Sequence, residues 1–438
     1  MKKIFFKDIL RPSNLYFISL SICTFLFFFG PYQYISTNSL FPRFYLYLVF
    51  FIFGIGIRIG ESSKYTKKNQ SNLYFISKLG EFILITFNII FFLSSISYFL
   101  ITIVNLTSGF TDFTILIGSG LADTRMKMEI DFLQGNQRSL LEKIFNALSG
   151  TSISITLIYL SIKKVRMEIF FVLSIFSPIF YGLTELIRGG RNPSAFVILC
   201  LIIAFKFRSR IGNSFSGLLK SIVKIFYFIS TFFIVIFLLI FGWRKQVQSI
   251  FELDSSTQLM FNTDVNIRPF YETINQFMGN LLSIPFELSF YITHGIAFFS
   301  SLFERTIYNT YFLGTFSFPG ILILTNQSEL VMERILDQEL NELYPTMVHG
   351  LLMDFGIFFT PIIAFLIGFI IGNVFLNAIH GNFQSICFSP VLACMAIISP
   401  IFTLNYGGLD QVIIMLSIEL IFFGLISIIT KKRIFYKV

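Results

Sequence analysis

Two stretches of this sequence carry residue types that could do chemistry. The first is Glu185-Leu-Ile-Arg188-Gly-Gly-Arg191-Asn192-Pro193. Glycine lets a backbone approach a ligand closely. Planar guanidinium groups suit bidentate binding of phosphate oxygens. Pro193 and Ser194 then open a short helical run, and a helix N-terminus attracts anions. Pyrophosphate is the natural ligand for Arg188 and Arg191. The plainer reading is a tight turn that keeps two arginines out of lipid. The second stretch is Asn341-Glu-Leu-Tyr344-Pro-Thr346-Met-Val-His349-Gly350-Leu-Leu-Met-Asp354-Phe355-Gly356. Asp354 stands at or just inside the start of a long apolar run, where an ionisable side chain is costly and by default functional. Partial burial would tune it as a general base. His349, one of 3 histidines, is the other candidate base. Against these stand two plain readings: a carboxylate favoured by a helix dipole, and a solvated loop histidine. His294 is a weaker candidate.

The elements that must position these residues are membrane helices. Of 438 residues, 55% are hydrophobic and only 13% charged. Soluble domains carry about 25% charged residues. The balance excludes a soluble enzyme, a disordered chain and a disulfide scaffold, and leaves an all-α polytopic integral membrane protein. The net charge of +9 is then an orientation signal and not a nucleic-acid signal. Cys23, Cys200, Cys387 and Cys394 lie inside apolar runs without metal-type spacing and read as buried, inert thiols.

A span needs about 20 apolar residues, and the chain offers ten such runs. They are 15–35, 41–59, 81–104, 141–162, 169–186, a short one at 194–205, then 222–242, 353–375, 386–404 and 412–430. The basic start leads into an apolar run that lacks a small-residue cleavage site and reads as a retained first span. With a cytoplasmic N-terminus, the cytoplasmic segments hold 21 of the 33 basic residues. Both termini are then expected inside.

Two outward segments, 105–140 and 243–352, are too long to be connectors. The apolar parts of the longer one, 281–303 and 311–325, read as helices on or in the outer leaflet; as two further spans they would bring the total to twelve. Trp243, Arg244 and Lys245 fit an interfacial belt. Arg268, Arg305 and Arg334 follow. Glu419, in the middle of the last span, reads as a packing or pairing residue. Transporters usually keep loops short and place polar residues at mid-membrane. Here the unusual polar residues sit in outward loops, which suggests work on something large or lipid-linked.

The layout resembles the bacterial O-antigen polymerases, the Wzy-type repeat-unit polymerases. Tyr291-Ile-Thr-His-Gly295 and Tyr311-Phe-Leu-Gly314-Thr-Phe316 are similar to that family's long-loop segment. Tyr344-x-Thr346, then Asp354-Phe-Gly356 and a span carrying Gly368 and Gly372, is similar to its segment at the end of the loop. The Arg188–Arg191 turn is similar to its basic turn before mid-chain. Related O-antigen ligases carry a catalytic His further upstream of the corresponding Gly, where this chain has Pro345; that role does not transfer to His349. The resemblance implies a GT-C-like glycosyltransferase of the bacterial inner membrane with one large periplasmic loop. Its substrates would be undecaprenyl-pyrophosphate-linked oligosaccharides, and a chain-length co-polymerase would be a partner. Arg188, Arg191, Arg268 and Arg305 would hold the pyrophosphate, Tyr344 and Thr346 would lie at the substrate, and Asp354 or His349 would act as base. No Asp-x-Asp motif or Cys/His cluster occurs outside, so a metal-independent, cofactor-free reaction is expected.

Overall fold

The computed structural model describes residues 11–34, 40–62, 74–107, 140–162, 168–187, 191–211, 220–221, 223–226, 265–278, 283–306, 317, 346–404, 408–431 and 433–436. In chain order these form α1 (Pro12–Phe29), β1 (Tyr32–Tyr34), α2 (Leu40–Gly60), β2 (Phe75–Ile76) and α3 (Lys78–Thr107). Then come α4 (Leu140–Thr151), α5 (Ile153–Leu160), α6 (Glu168–Ile187), α7 (Arg191–Ile211) and β3 (Val265–Ile267). The last are α8 (Pro269–Met278), α9 (Ser283–Thr306), α10 (Met347–Ile379), α11 (Phe383–Ile398), α12 (Leu409–Ile429) and β4 (Phe435–Tyr436).

Every expected span except 222–242 overlaps described helix, although 15–35 runs on into β1 and 386–404 runs past the end of α11; 222–242 lies almost wholly outside the described residues. Among the described residues six helices are long and apolar enough to cross a membrane: α1, α2, α3, α6, α10 and α12. Their exposed surfaces are apolar, and α3 also buries a row of polar groups. On α3 the buried positions include Glu81, Asn88, Ser95 and Thr102, seven apart, while Phe82, Leu93, Leu100 and Val104 are exposed. Residues seven apart share one helix face over two turns. A helix that buries polar groups and exposes apolar ones is at home in lipid, where interhelical hydrogen bonds help hold the bundle. The chain is thus an all-α membrane protein, with two short β-ribbons that the sequence reading did not anticipate.

The residues form two compact units. Unit one contains α1, β1, α2, β3, α8, α9 and α10 as far as Leu376, with residues 395–405. Pro12 opens α1, a position that suits its missing N–H. The Tyr16 hydroxyl donates to the Phe50 carbonyl of α2 at 2.7 Å. At the start of α1, Glu61 accepts from the Ser13 amide at 2.9 Å and the Ser13 hydroxyl at 2.6 Å. Burial raises the Glu61 carboxyl above its ordinary range, and the Ser13 hydroxyl and amide pull it back. Helices α2 and α10 meet through glycine. A Cβ on Gly56 would collide with the Phe365 carbonyl, and one on Gly60 with that of Phe369; from the other side, Gly368 abuts the Phe53 carbonyl and Gly372 that of Ile57. Small residues four apart let membrane helices touch backbone to backbone.

At the other end of α1, β1 pairs antiparallel with β3, Tyr32 opposite Ile267 and Tyr34 opposite Val265. The Arg268 amide donates to the Pro31 carbonyl at 2.8 Å. Helix α9 covers most of the apolar part 281–303 of the longer outward segment, and its residues 293–300 are all buried, so this stretch packs in the core of the unit. The segment 311–325 lies outside the described residues apart from Ser317.

Unit two contains β2, α3 to α7, α11 as far as Cys394, α12 and β4. The expected fourth span is a broken helix: α4 stops, Ser152 intervenes, and α5 follows with all eight residues buried. The expected short sixth span is longer than read. Helix α7 continues to Ile211 because Arg208 turns inward: its guanidinium donates to the carbonyls of Tyr159, Leu160 and Ile162 at 3.2, 2.8 and 3.0 Å. Those carbonyls lie at and just beyond the end of α5, where a helix leaves backbone acceptors without intrahelical partners. Strand β2 pairs with β4, and the Tyr74 hydroxyl donates to the Gly381 carbonyl at 2.7 Å.

Candidate functional site

Among the residues singled out from the sequence, those of α10 are the best defined. The helix begins at Met347, earlier than the expected span start at 353. His349 therefore lies in its first turn and Asp354 in the third. His349 is 1% exposed and Asp354 is fully buried, so His349 is a core residue and not a solvated loop histidine. They stand five residues apart, about 140° around the helix, and so face different neighbours.

Gly356, two residues beyond Asp354, has φ 71° and ψ 178°. This region is open almost only to glycine, and it breaks α10 into two helical pieces. The Thr360 hydroxyl returns to the Gly356 carbonyl at 2.7 Å, and Pro361 follows. Asp354 thus sits at the end of a short helix that meets a longer one at a fixed bend.

The Asp354 carboxylate accepts a hydrogen bond from the Ser317 backbone amide at 2.7 Å. That contact joins the segment after Tyr311–Phe316 to the Asp354-Phe-Gly356 motif, the two stretches that carry the family resemblance. A carboxylate held by a backbone donor is oriented as well as buried. The hydroxyls of Ser317 and Thr346 are buried without a hydrogen-bond partner among the described residues. Each is equipped to donate to and accept from a hydroxyl-rich ligand. The Met347 amide donates to the Ser399 carbonyl at 3.1 Å, which anchors the start of α10.

Arg268 follows β3. One guanidinium nitrogen reaches the Phe27 carbonyl near the end of α1 at 3.5 Å, a favourable place for a cation. Arg43, which the sequence reading passed over, lies with its guanidinium 5.8 Å from the Phe27 ring centre. The Tyr34 hydroxyl shares a 2.7 Å hydrogen bond with Thr293. Burial pushes the Tyr34 phenol well above its ordinary range, and Thr293 draws it back. Next to Thr293, His294 stacks on Phe290 and borders Phe298 and Phe402. It is a core histidine.

Arg188 and Tyr344 lie outside the described residues. Arg191 opens α7 and Arg305 lies near the end of α9, but their side chains are outside the described residues. Arg268, Arg305, Thr346, His349 and Asp354 belong to unit one, and Arg191 to unit two. Glu185, in the same motif as Arg188, accepts from the Tyr98 hydroxyl at 2.9 Å.

Compared with protein families, with curated proteins and with solved structures, the chain matches none.

Proposed function

We propose that this protein is a membrane glycosyltransferase that polymerises undecaprenyl-pyrophosphate-linked repeat units into an O-antigen or capsule-like polysaccharide. It works at the periplasmic face of a bacterial inner membrane, in a GT-C-like helical frame with both termini cytoplasmic. One observation carries the reading: a buried, oriented carboxylate, Asp354, at a glycine-fixed bend and tied to the backbone of the long outward segment. The ribbons support the sidedness. β1–β3 joins two segments that the basic-residue rule assigns to the outside, and β2–β4 joins two that it assigns to the inside.

The acceptor sugar's hydroxyl oxygen attacks the anomeric carbon of the growing glycan. The bond from that carbon to the pyrophosphate oxygen breaks, and undecaprenyl pyrophosphate leaves. The hydroxyl proton passes to Asp354 or His349. Arg188 and Arg191, with Arg268 or Arg305, offset the charge that develops on the leaving pyrophosphate. The lipid pyrophosphate bond supplies the energy, the scheme calls for no metal, and a co-polymerase sets chain length.

The buried polar face of α3 favours a second reading, an exporter of lipid-linked sugars, because transporters keep polar groups inside the bundle. Deleting the gene separates the two. Loss of a polymerase leaves single repeat units on the lipopolysaccharide core; complete absence of repeats would overturn the polymerase and favour an exporter or a ligase. In the complemented strain, Arg188→Ala and Arg191→Ala are each expected to abolish long chains while protein stays in the membrane. Normal ladders from both would remove the pyrophosphate role.

A further inference from the structure

Glu419 has no part in the polymerisation scheme, yet it lies midway along α12 in the interior of unit two, 1% exposed. The Ser154 hydroxyl donates to its Oε1 at 2.8 Å. Its other oxygen, Oε2, is buried with no hydrogen-bond partner among the described residues. Ser154 itself stands just past the break that separates α4 from α5.

Among the described residues no positive charge is seen against this carboxylate; the buried cation in contact with α5, Arg208 on α7, donates to the carbonyls of Tyr159, Leu160 and Ile162. Helices α5 and α12 contain neither Lys nor Arg. Lys78 and Lys143, near the starts of α3 and α4, are exposed. The other titratable groups on these elements are Tyr159 on α5, Cys387 and Cys394 on α11, Glu81 and Tyr98 on α3, Glu142 on α4 and Asp410 on α12 itself. Cys387 is engaged with the Ser161 hydroxyl at 3.1 Å. None of these supplies a cation. An ionised carboxylate so placed costs several kcal/mol, more than one hydroxyl donor offsets. A metal cation would want more hard oxygen ligands than one carboxylate and one hydroxyl provide. A proton on Oε2 removes the charge and keeps the Ser154 bond to Oε1.

We propose that Glu419 is a proton-binding site in the interior of unit two, with Oε2 as the atom that takes up and releases the proton. The packing of α12 against α4 and α5 then depends on whether Oε2 carries its proton.

Infrared spectra and melting curves of the purified full-length protein in lipid nanodiscs, from mildly acid to mildly alkaline pH, test this. We expect a protonated-carboxyl band that Glu419→Gln removes. In the wild type this band should fade at alkaline pH. A band unchanged in Glu419→Gln overturns the proposal, as does a midpoint that follows sodium concentration at fixed pH. Should Glu419→Gln not accumulate, Ser154→Ala decides. It strips the hydrogen bond from Oε1, so the band must move; an unmoved band overturns the site. None of these readouts depends on whether the protein makes polysaccharide.

Discussion

Leucine in place of Gly372 is expected to abolish accumulation of folded protein in the membrane. At this position α10 lies backbone to backbone against α2. Even a Cβ would overlap the Ile57 carbonyl and come within 2.9 Å of the Glu61 amide. Both are main-chain atoms of a packed helix, so neither can swing aside as a flexible side chain would. Gly60, Gly56 and Gly368 are equally tight, so relief at one level is resisted at the next. Overpacking a core costs about 1–3 kcal/mol and occasionally more. Forcing two helices apart belongs at or above the upper end. That is a large share of a folding free energy of about 5–15 kcal/mol. The Glu61 clamp on Ser13 is built on the next residue after Gly60, so α1 is disturbed too. Gly424 supplies the control. It lies in α12 with nothing within 4 Å of a built Cβ, so Gly424→Ala should be neutral or slightly stabilising. Membrane-fraction yield and the melting midpoint in detergent check both variants. Wild-type values for Gly372→Leu would sink the glycine contact.

The glycine contact also shows where sequence was informative and where it stopped. Gly368 and Gly372 stand out as a spaced pair in an apolar run, but the partner pair on α2 is more than 300 residues away in sequence and announces itself only in three dimensions. Helices were legible because lipid demands long apolar runs, although the runs do not fix where the helices begin and end. Their interruptions were not. Ser152 is one serine among many, and hydropathy passes over the break between α4 and α5. Arg208 counted as an orientation residue in the sequence, whereas its guanidinium caps the end of α5. The ribbons β1–β3 and β2–β4 are too short to carry a period and pair across most of the chain. At the candidate site, Asp354 and Gly356 were visible as a motif, since an acid at the edge of an apolar run is unusual. The burial of His349 was not, because its turn precedes the apolar run that hydropathy detects.

Asp354→Asn is expected to leave the protein in the membrane at wild-type levels and to eliminate long glycan chains. The amide oxygen of Asn can still accept the Ser317 amide hydrogen bond, so the loop stays anchored to α10. What is lost is the capacity to take a proton. Removing a general base costs about 100- to 10,000-fold in rate, enough to erase a ladder built by many successive additions. Asp354→Ala differs. It leaves the buried Ser317 N–H unpaired, at about 1–3 kcal/mol, and should lower the melting midpoint as well. The contrast between Asn and Ala therefore separates anchoring from chemistry. His349→Ala is the companion experiment. A fully buried histidine removed from the first turn of α10 leaves a cavity and lowers yield, but the molecules that fold should still elongate chains if Asp354 is the base. Ladders normalised to membrane protein give the comparison. Long chains from Asp354→Asn together with none from His349→Ala would transfer the role to His349. Long chains from both would remove the base from this part of α10 altogether, and leave Asp354 as the clasp that holds Ser317 to the helix.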